Sequence, residues 1–174
     1  LPRRYSLILL GGFFFTLLSC NYFAKQRIYD IVQKWQGKTI IFPDTLDIKV
    51  QGKEAILDDS IQPTYFILNY IDTSDCLSCD LKLYEWQLLQ KELDSLNINV
   101  DILFVVWTNQ YDNLEHQQRV NKCMIPCVYD SKNNIANINE FPTESYLHTF
   151  LLDSMNQVLL LGNPINNESI RKLY

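Results

Sequence analysis

Apolar and polar positions along this chain fall into two periods, and the switch between them marks out its elements. "TYFILNYI" (64–71) reads as an apolar strand, and "VDILFVVW" (100–107) is a nearly continuous apolar run of strand length, as expected for a central strand buried on both faces. Between them Leu83, Trp86, Leu89, Leu93 and Leu96 recur along one helical face, while Lys82, Glu85, Gln90 and Glu92 are polar. The three segments predict a β-α-β unit, and a right-handed crossover makes its two strands parallel in one sheet.

The flanks extend this pattern. Ile28, Ile31, Val32 and Trp35 stand at helical spacing within a polar lead that runs from Asn21 to about Gly37. "GKTIIFPD" predicts a short strand closed by Pro43, and the alternation in "LDIKV" predicts another; the stretch from there to Pro63 carries the weakest signal in the chain. "NQYDNLEHQQRVNKCM" predicts a second helix opening near Asp112 or Asn113, and "IPCVYD" a short strand behind Pro126. "DSKNNIANINE" has turn and loop composition. "HTFLLD" and "VLLLG" flank a turn at "SMNQ" and predict a β-hairpin, after which "NPINNESIRKLY" predicts a loop and a terminal helix capped near Asn167 or Ser169. The fold class is α/β, a mixed central sheet with helices on both faces.

Composition narrows the functions open to such a fold. The net charge is −5 and no long basic run occurs, so no nucleic-acid partner is expected. Glycine is scarce, and neither a G-x-G-x-x-G nor a Walker-type loop is present. The two histidines, His116 and His148, have no H-E-x-x-H context, and His148 draws notice only because the start of the late hairpin should approach the cysteines. No cofactor is expected. Trp86 and Trp107 are expected in the core.

The N-terminus bears on compartment. Arg3 and Arg4 precede an apolar run from about Leu7 to Leu18, which is too short for a membrane span of about 20 residues but has the length of a signal-peptide core, about 7 to 15 residues. It ends in Leu17-Leu18-Ser19-Cys20, which resembles a bacterial lipobox. That resemblance implies cleavage before Cys20, lipid on its thiol, and multiple acyl chains holding the mature protein to a membrane. By the same resemblance to bacterial lipoproteins, Asn21 after the cysteine and the lack of an acidic cluster imply an anchor facing the periplasm, in the inner or outer membrane. The expected organisation is a signal peptide over 1–19, a lipid-anchor linker and N-terminal extension over 20–62, and a domain over 63–174.

Cysteines supply the candidate chemistry. Cys76 and Cys79 form a C-x-x-C where the strand at 64–71 hands over to the helix that follows, and Cys123 and Cys127 form a second pair, C-M-I-P-C. Strand, C-x-x-C, helix and a late hairpin "HTFLLDSMNQVLLLG" together resemble the thioredoxin-like proteins. "YIDTSDCLSCDLKLYEW" is similar to the active-site entry of membrane-anchored bacterial redoxins and of thioredoxin-like lipoproteins. The resemblance covers about Thr64 to Tyr174. It implies a thioredoxin-like fold, a redox-active pair at Cys76 and Cys79, and disulfide exchange with a protein partner outside the cytoplasm. Two departures from that pattern are visible. Redoxins usually carry Trp before the first cysteine and Gly-Pro between the two, where this chain has Asp75, Leu77 and Ser78; and the proline that usually faces the dithiol falls at Leu147.

Physical chemistry supports the same residues. A thiol at a helix N-terminus lies beside unpaired N–H groups and the positive end of the helix dipole, which stabilise its thiolate. Cys76 is the expected nucleophile and Cys79, one turn on, the resolving thiol. Asp75 and Asp80 flank them, and negative neighbours raise a thiol pKa, which argues against a strongly oxidising pair. Other readings stand beside this one. Cys76 and Cys79 suit an inert disulfide in an oxidising compartment, and four thiolates suit zinc, although the two pairs fall on different predicted elements and no metal is expected. Cys123 and Cys127 are a candidate second thiol pair, open to a disulfide, to a relay to Cys76 and Cys79, or to simple burial as apolar thiols. The competing functional class is a redox-inactive binding module on the same fold. A thiol peroxidase is a third, for which an activated cysteine beside Arg and Thr would be wanted; no basic residue is close to Cys76 in sequence.

Overall fold

A computed structural model of the chain describes residue 23 and residues 25–55, 63–72 and 81–174. The chain divides into two units, one ending at Trp35 and one from Gln36 to Tyr174. In the first, residues 25–35 form a helix, α1, whose Ile31 and Val32 are half-buried while Ile28 and Tyr29 are exposed.

In the second unit the described strands are β1 (Ile48–Val50), β2 (Lys53–Glu54), β3 (Tyr65–Asp72), β4 (Val100–Trp107), β5 (Cys127–Tyr129), β6 (Thr149–Asp153) and β7 (Val158–Leu161). They form one sheet in the order β2-β1-β5-β4-β3-β6-β7. β4 is parallel to β3 and to β5, and the other pairings are antiparallel. The helices are α2 (Leu83–Ser95), α3 (Tyr111–Val120), α4 (Asn134–Asn139) and α5 (Glu168–Arg171), with one 3-10 turn at Ser145–Leu147. The mixed sheet and the parallel β3-α2-β4 unit agree with the sequence pattern. β1 and β2 lie in the stretch read from sequence as an extension ahead of the domain, and they add an antiparallel edge to the sheet beside β5.

Period two sets the sheet's faces. Ile67 and Ile71 of β3 and Ile102, Phe104 and Val106 of β4 join Leu83, Trp86, Leu89 and Leu93 of α2 and Leu114 of α3 in one core cluster. Trp86 is 1% exposed and meets Phe104 edge to face at 5.7 Å. Leu68, Tyr70, Leu103 and Val105 fall on the opposite face and are also buried. Tyr70 there meets Phe141, which packs in turn on Phe150 of β6. Burial on both faces explains why β3 reads as an apolar strand and β4 as a nearly continuous apolar run.

Four local expectations differ from the structure. The strand expected in "GKTIIFPD" shrinks to a single bridge, Thr39 with Gln157. Gly37 and Ile40 donate to Val158 and Asn156 oxygens, but at Ile41 the buried Asn139 side chain takes over both backbone groups, accepting from Ile41 N at 2.7 Å and donating to its oxygen at 2.8 Å. "DSKNNIANINE" contains a helix, because the Asp130 carboxylate accepts from the N–H groups of Asn134 (2.8 Å) and Ile135 (2.7 Å) while Ile135 and Ala136 are buried. Leu96 lies at the α2 C-cap and is 62% exposed, so the apolar face ends at Leu93. Trp107, the last residue of β4, is 36% exposed at the rim rather than in the core. The β6–β7 turn is as expected, with Asp153 Oδ1 accepting from Met155 N and Gln157 N, and Asn167 caps α5 by accepting from Ser169 N and Ile170 N.

Candidate functional site

The candidate site lies at the carboxyl ends of β3 and β4, where Asp72 pairs in register with Trp107. In sheets of this kind the crevice outside the carboxyl ends of parallel strands is the usual place for ligands. Cys76 and Cys79 fall between Asp72 and Leu81, in a segment outside the described residues, as does Cys20. Cys76 is four positions beyond Asp72 in the chain, and Cys79 is four positions ahead of the first α2 residue, Leu83. α2 opens without a side-chain cap, and its first turn is held instead by apolar burial of Leu83 and Trp86.

Around the end of β3 the sequence brings together groups far apart in the chain. His148 immediately precedes β6 and accepts at its backbone oxygen from Tyr70 N at 2.8 Å. Its Nε2 lies 2.6 Å from Pro142 O. A carbonyl oxygen only accepts, so Nε2 carries the proton and Nδ1 keeps the basic lone pair. The ring is buried and meets the Tyr70 ring edge to face at 5.0 Å. Burial pulls the His148 pKa below its ordinary 6.5, against the opposing pull of the Pro142 hydrogen bond and of Asp72 and Glu144. Tyr70 donates from its hydroxyl to Asn133 Oδ1 at 2.8 Å, and its phenol is pushed well above the ordinary range by burial first and by Asp72 next. At neutral pH the imidazole and the phenol are therefore both uncharged, and Asp72 is exposed beside them. Taking up a proton would make the His148 imidazole cationic, and its burial works against that step.

Beneath the site, Thr149 Oγ1 donates to Asn69 Oδ1 at 2.7 Å across the β3–β6 pair, satisfying two buried polar groups in the sheet interior.

Cys123 and Cys127 are free and fully buried. Cys123 follows α3, and Cys127 opens β5 opposite Phe104. Burial raises both thiols, and for Cys127 the neighbouring Cys123 adds to the effect. Gln118 organises this pocket. Fully buried, it donates from Nε2 to Ile125 O at 2.9 Å and to Cys127 Sγ at 3.2 Å, and its Oε1 accepts from Gln51 N at 3.0 Å. His116 is exposed on α3. Sequence reasoning singled out His148 but missed Tyr70, Asn133 and Gln118. Tyr70 had a visible signal, a polar-tipped residue in the apolar run of β3; Gln118, set in "EHQQRV", had none.

No family model matches the sequence, and no curated protein matches it. Its fold does match solved structures. AhpC from Enterococcus faecalis superposes with a TM-score of 0.58 at 15% identity, covering 80% of this chain and 90% of that one. A cysteine-to-serine mutant of PrxQ from Xylella fastidiosa gives 0.56 at 14% identity, covering 79% and 94%. The thioredoxin domain of a thiol-disulfide oxidoreductase from Bacteroides vulgatus gives 0.52 at 14% identity, covering 79% and 96%. At these identities the likeness is one of fold, and the chain has a thioredoxin-like fold.

Proposed function

We propose that the protein is a thiol-disulfide oxidoreductase acting on protein dithiols and disulfides through Cys76 and Cys79, held to a membrane by lipid on Cys20 and facing the periplasm. One observation carries the reading: the C-x-x-C stands in the connection from β3 to α2 of a thioredoxin-like sheet, at the end where parallel strands leave a crevice. The thioredoxin domain of a thiol-disulfide oxidoreductase among its structural neighbours agrees with it.

The chemistry follows from thiolate exchange. Cys76, as thiolate, attacks one sulfur of a substrate disulfide; the substrate S–S bond breaks and a mixed disulfide forms. Cys79 then attacks the Cys76 sulfur, a Cys76–Cys79 disulfide closes, and the substrate leaves with both sulfurs reduced. Run in reverse, the same steps oxidise a substrate dithiol. Asp72, Asp75 and Asp80 make the surroundings negative, which opposes thiolate formation and favours a pair that is not strongly oxidising.

Replacing Cys79 with serine removes the resolving thiol, so mixed disulfides through Cys76 should accumulate with protein partners in an oxidising compartment. Leu147, standing where redoxins carry proline, favours the second reading, a binding module without turnover. An empty trap together with partner capture independent of Cys76 would support that second reading. Consumption of a hydroperoxide dependent on Cys76 would point instead to a peroxidase, the activity for which PrxQ-type neighbours give a precedent of fold.

A further inference from the structure

We propose that Cys123 and Cys127 form a second, gated thiol pair, and that the β1–β2 hairpin is the gate. Closed, the hairpin seals two neutral thiols; open, it lets them exchange with a small disulfide and close on each other. This inference stands on residues 47–55 and 115–129 alone and does not depend on the role of Cys76 and Cys79.

The seal is built from one turn. Gln51 and Gly52 sit at the tip of the hairpin with φ of 55° and 82°. The Gln51 backbone N–H donates to Gln118 Oε1, its Nε2 donates to Cys123 O at 3.3 Å and reaches Met124 Sδ at 3.5 Å, and its backbone oxygen accepts from Arg119 Nη1 at 3.3 Å. Behind that turn Gln118 holds Cys127 Sγ. Lys49 pairs in register with Cys127, so the hairpin strand itself lies along the residue that carries the buried thiol.

What holds the hairpin is weak compared with what it covers. From Ile41 to Ala55 no residue is a buried hydrophobic, whereas Cys123, Ile125 and Cys127 beneath belong to the main core. β1 meets β5 at two register pairs, and its side chains are half-buried; both residues of β2 are exposed. An element tied mainly by part-exposed hydrogen bonds opens locally at much lower free energy than the core beneath it.

In the open state the exchange balances as follows. Cys123 Sγ loses its proton to solvent and bonds to one sulfur of a low-molecular-weight disulfide, whose S–S bond breaks and releases one thiol. Cys127, its proton likewise passed to solvent, attacks the Cys123 sulfur of the mixed disulfide, forming a Cys123–Cys127 bond and releasing the second thiol. The pair is oxidised by two electrons and the small disulfide is reduced to two thiols.

The test uses the full chain, alkylated over time and digested with trypsin, so that the peptide 123–132, between Lys122 and Lys132, reports both thiols. Gln51→Ala removes the side-chain bonds of the seal. Gly52→Ala acts independently, because a Cβ there meets the Glu115 carboxylate at 2.5 Å on a positive-φ backbone. Each variant should speed labelling of the peptide by about five- to thirty-fold, the population change that one or two weak interactions set. In the wild-type chain, labelling should proceed below the urea transition with a shallow urea dependence, and glutathione disulfide should convert the peptide to an internal disulfide two mass units lighter. Labelling at the same rate in wild type and both variants, or labelling that appears only with global unfolding, would overturn the gate. Mixed disulfides that never close internally would overturn the pair.

Discussion

Trp86 fastens the helix after the C-x-x-C to the sheet, and its removal has a magnitude that the packing fixes. A buried Trp removes about 150–250 Å² from water, which at about 25 cal/mol per Å² is worth about 4–6 kcal/mol. Measured truncations of buried aromatics cost about 3–5 kcal/mol, because the site relaxes in part. Trp86→Ala should therefore lose about 3–5 kcal/mol from a total of about 5–15 for a domain. Trp86→Phe keeps a ring against Phe104 and should lose about 1–2 kcal/mol, the share of the area that the smaller ring gives up. The edge-to-face contact at 5.7 Å predicts a coupling of about 0.5–1.5 kcal/mol between Trp86→Ala and Phe104→Leu in a double-mutant cycle. Urea unfolding followed by far-ultraviolet circular dichroism measures all three. A Trp86→Ala loss below about 1 kcal/mol, the range of a surface site, would refute the claim that this residue anchors α2.

Three further predictions follow from the site and its surroundings. His148 is held neutral, its folded pKa below 6.5, so the unfolded chain binds more protons in the window between the two values; stability should be complete above pH 6.5 and fall as pH drops through that window. His148→Gln should remove that acid-side loss, seen as a shallower fall of the urea midpoint between pH 7.5 and 5.5, and an unchanged slope would contradict the assignment. Asp130→Ala strands the N–H groups of Asn134 and Ile135 and should cost about 1–3 kcal/mol, with Asp130→Asn recovering part of it; equal stability of all three chains in urea would count against this cap. Cys20→Ser should move the protein from the membrane to the soluble fraction, and unchanged fractionation would remove the lipid-anchor reading.

Much of this architecture was legible in the sequence because the strongest signals are periodic. β3, α2 and β4 carry long apolar patterns, and nothing in their surroundings overrides them. The β6–β7 turn and the α5 cap were legible for a different reason, since Asp153 and Asn167 act on N–H groups within four residues of themselves. The missed carboxamide contacts share one cause. Side chains from distant segments replace backbone partners, as Asn139 does for Ile41 and Gln118 does for Gln51, and a carboxamide in a polar stretch carries no local sign of such a role. The α4 helix was hidden for another reason: its asparagine-rich sequence favours turns until Asp130 holds its first N–H groups and Ile135 finds the core. Trp107 was misplaced because strand periodicity says which face a residue takes but not that the strand ends there. Of the candidate site, the cysteine motif and His148 were visible in the sequence; the neutral Tyr70, Asn133 and His148 group exists only once β6 lies antiparallel to β3.

The reduction potential of the Cys76 and Cys79 pair, in the chain from Asn21 to Tyr174, tests the central proposal most directly, by equilibration with defined thiol buffers and alkylation resolved by mass. The account predicts ready exchange with a potential of roughly −180 to −270 mV, the less oxidising part of the oxidoreductase range that a pair flanked by Asp75 and Asp80 should occupy. A bond that resists reduction to below about −300 mV would mark a structural disulfide and contradict it.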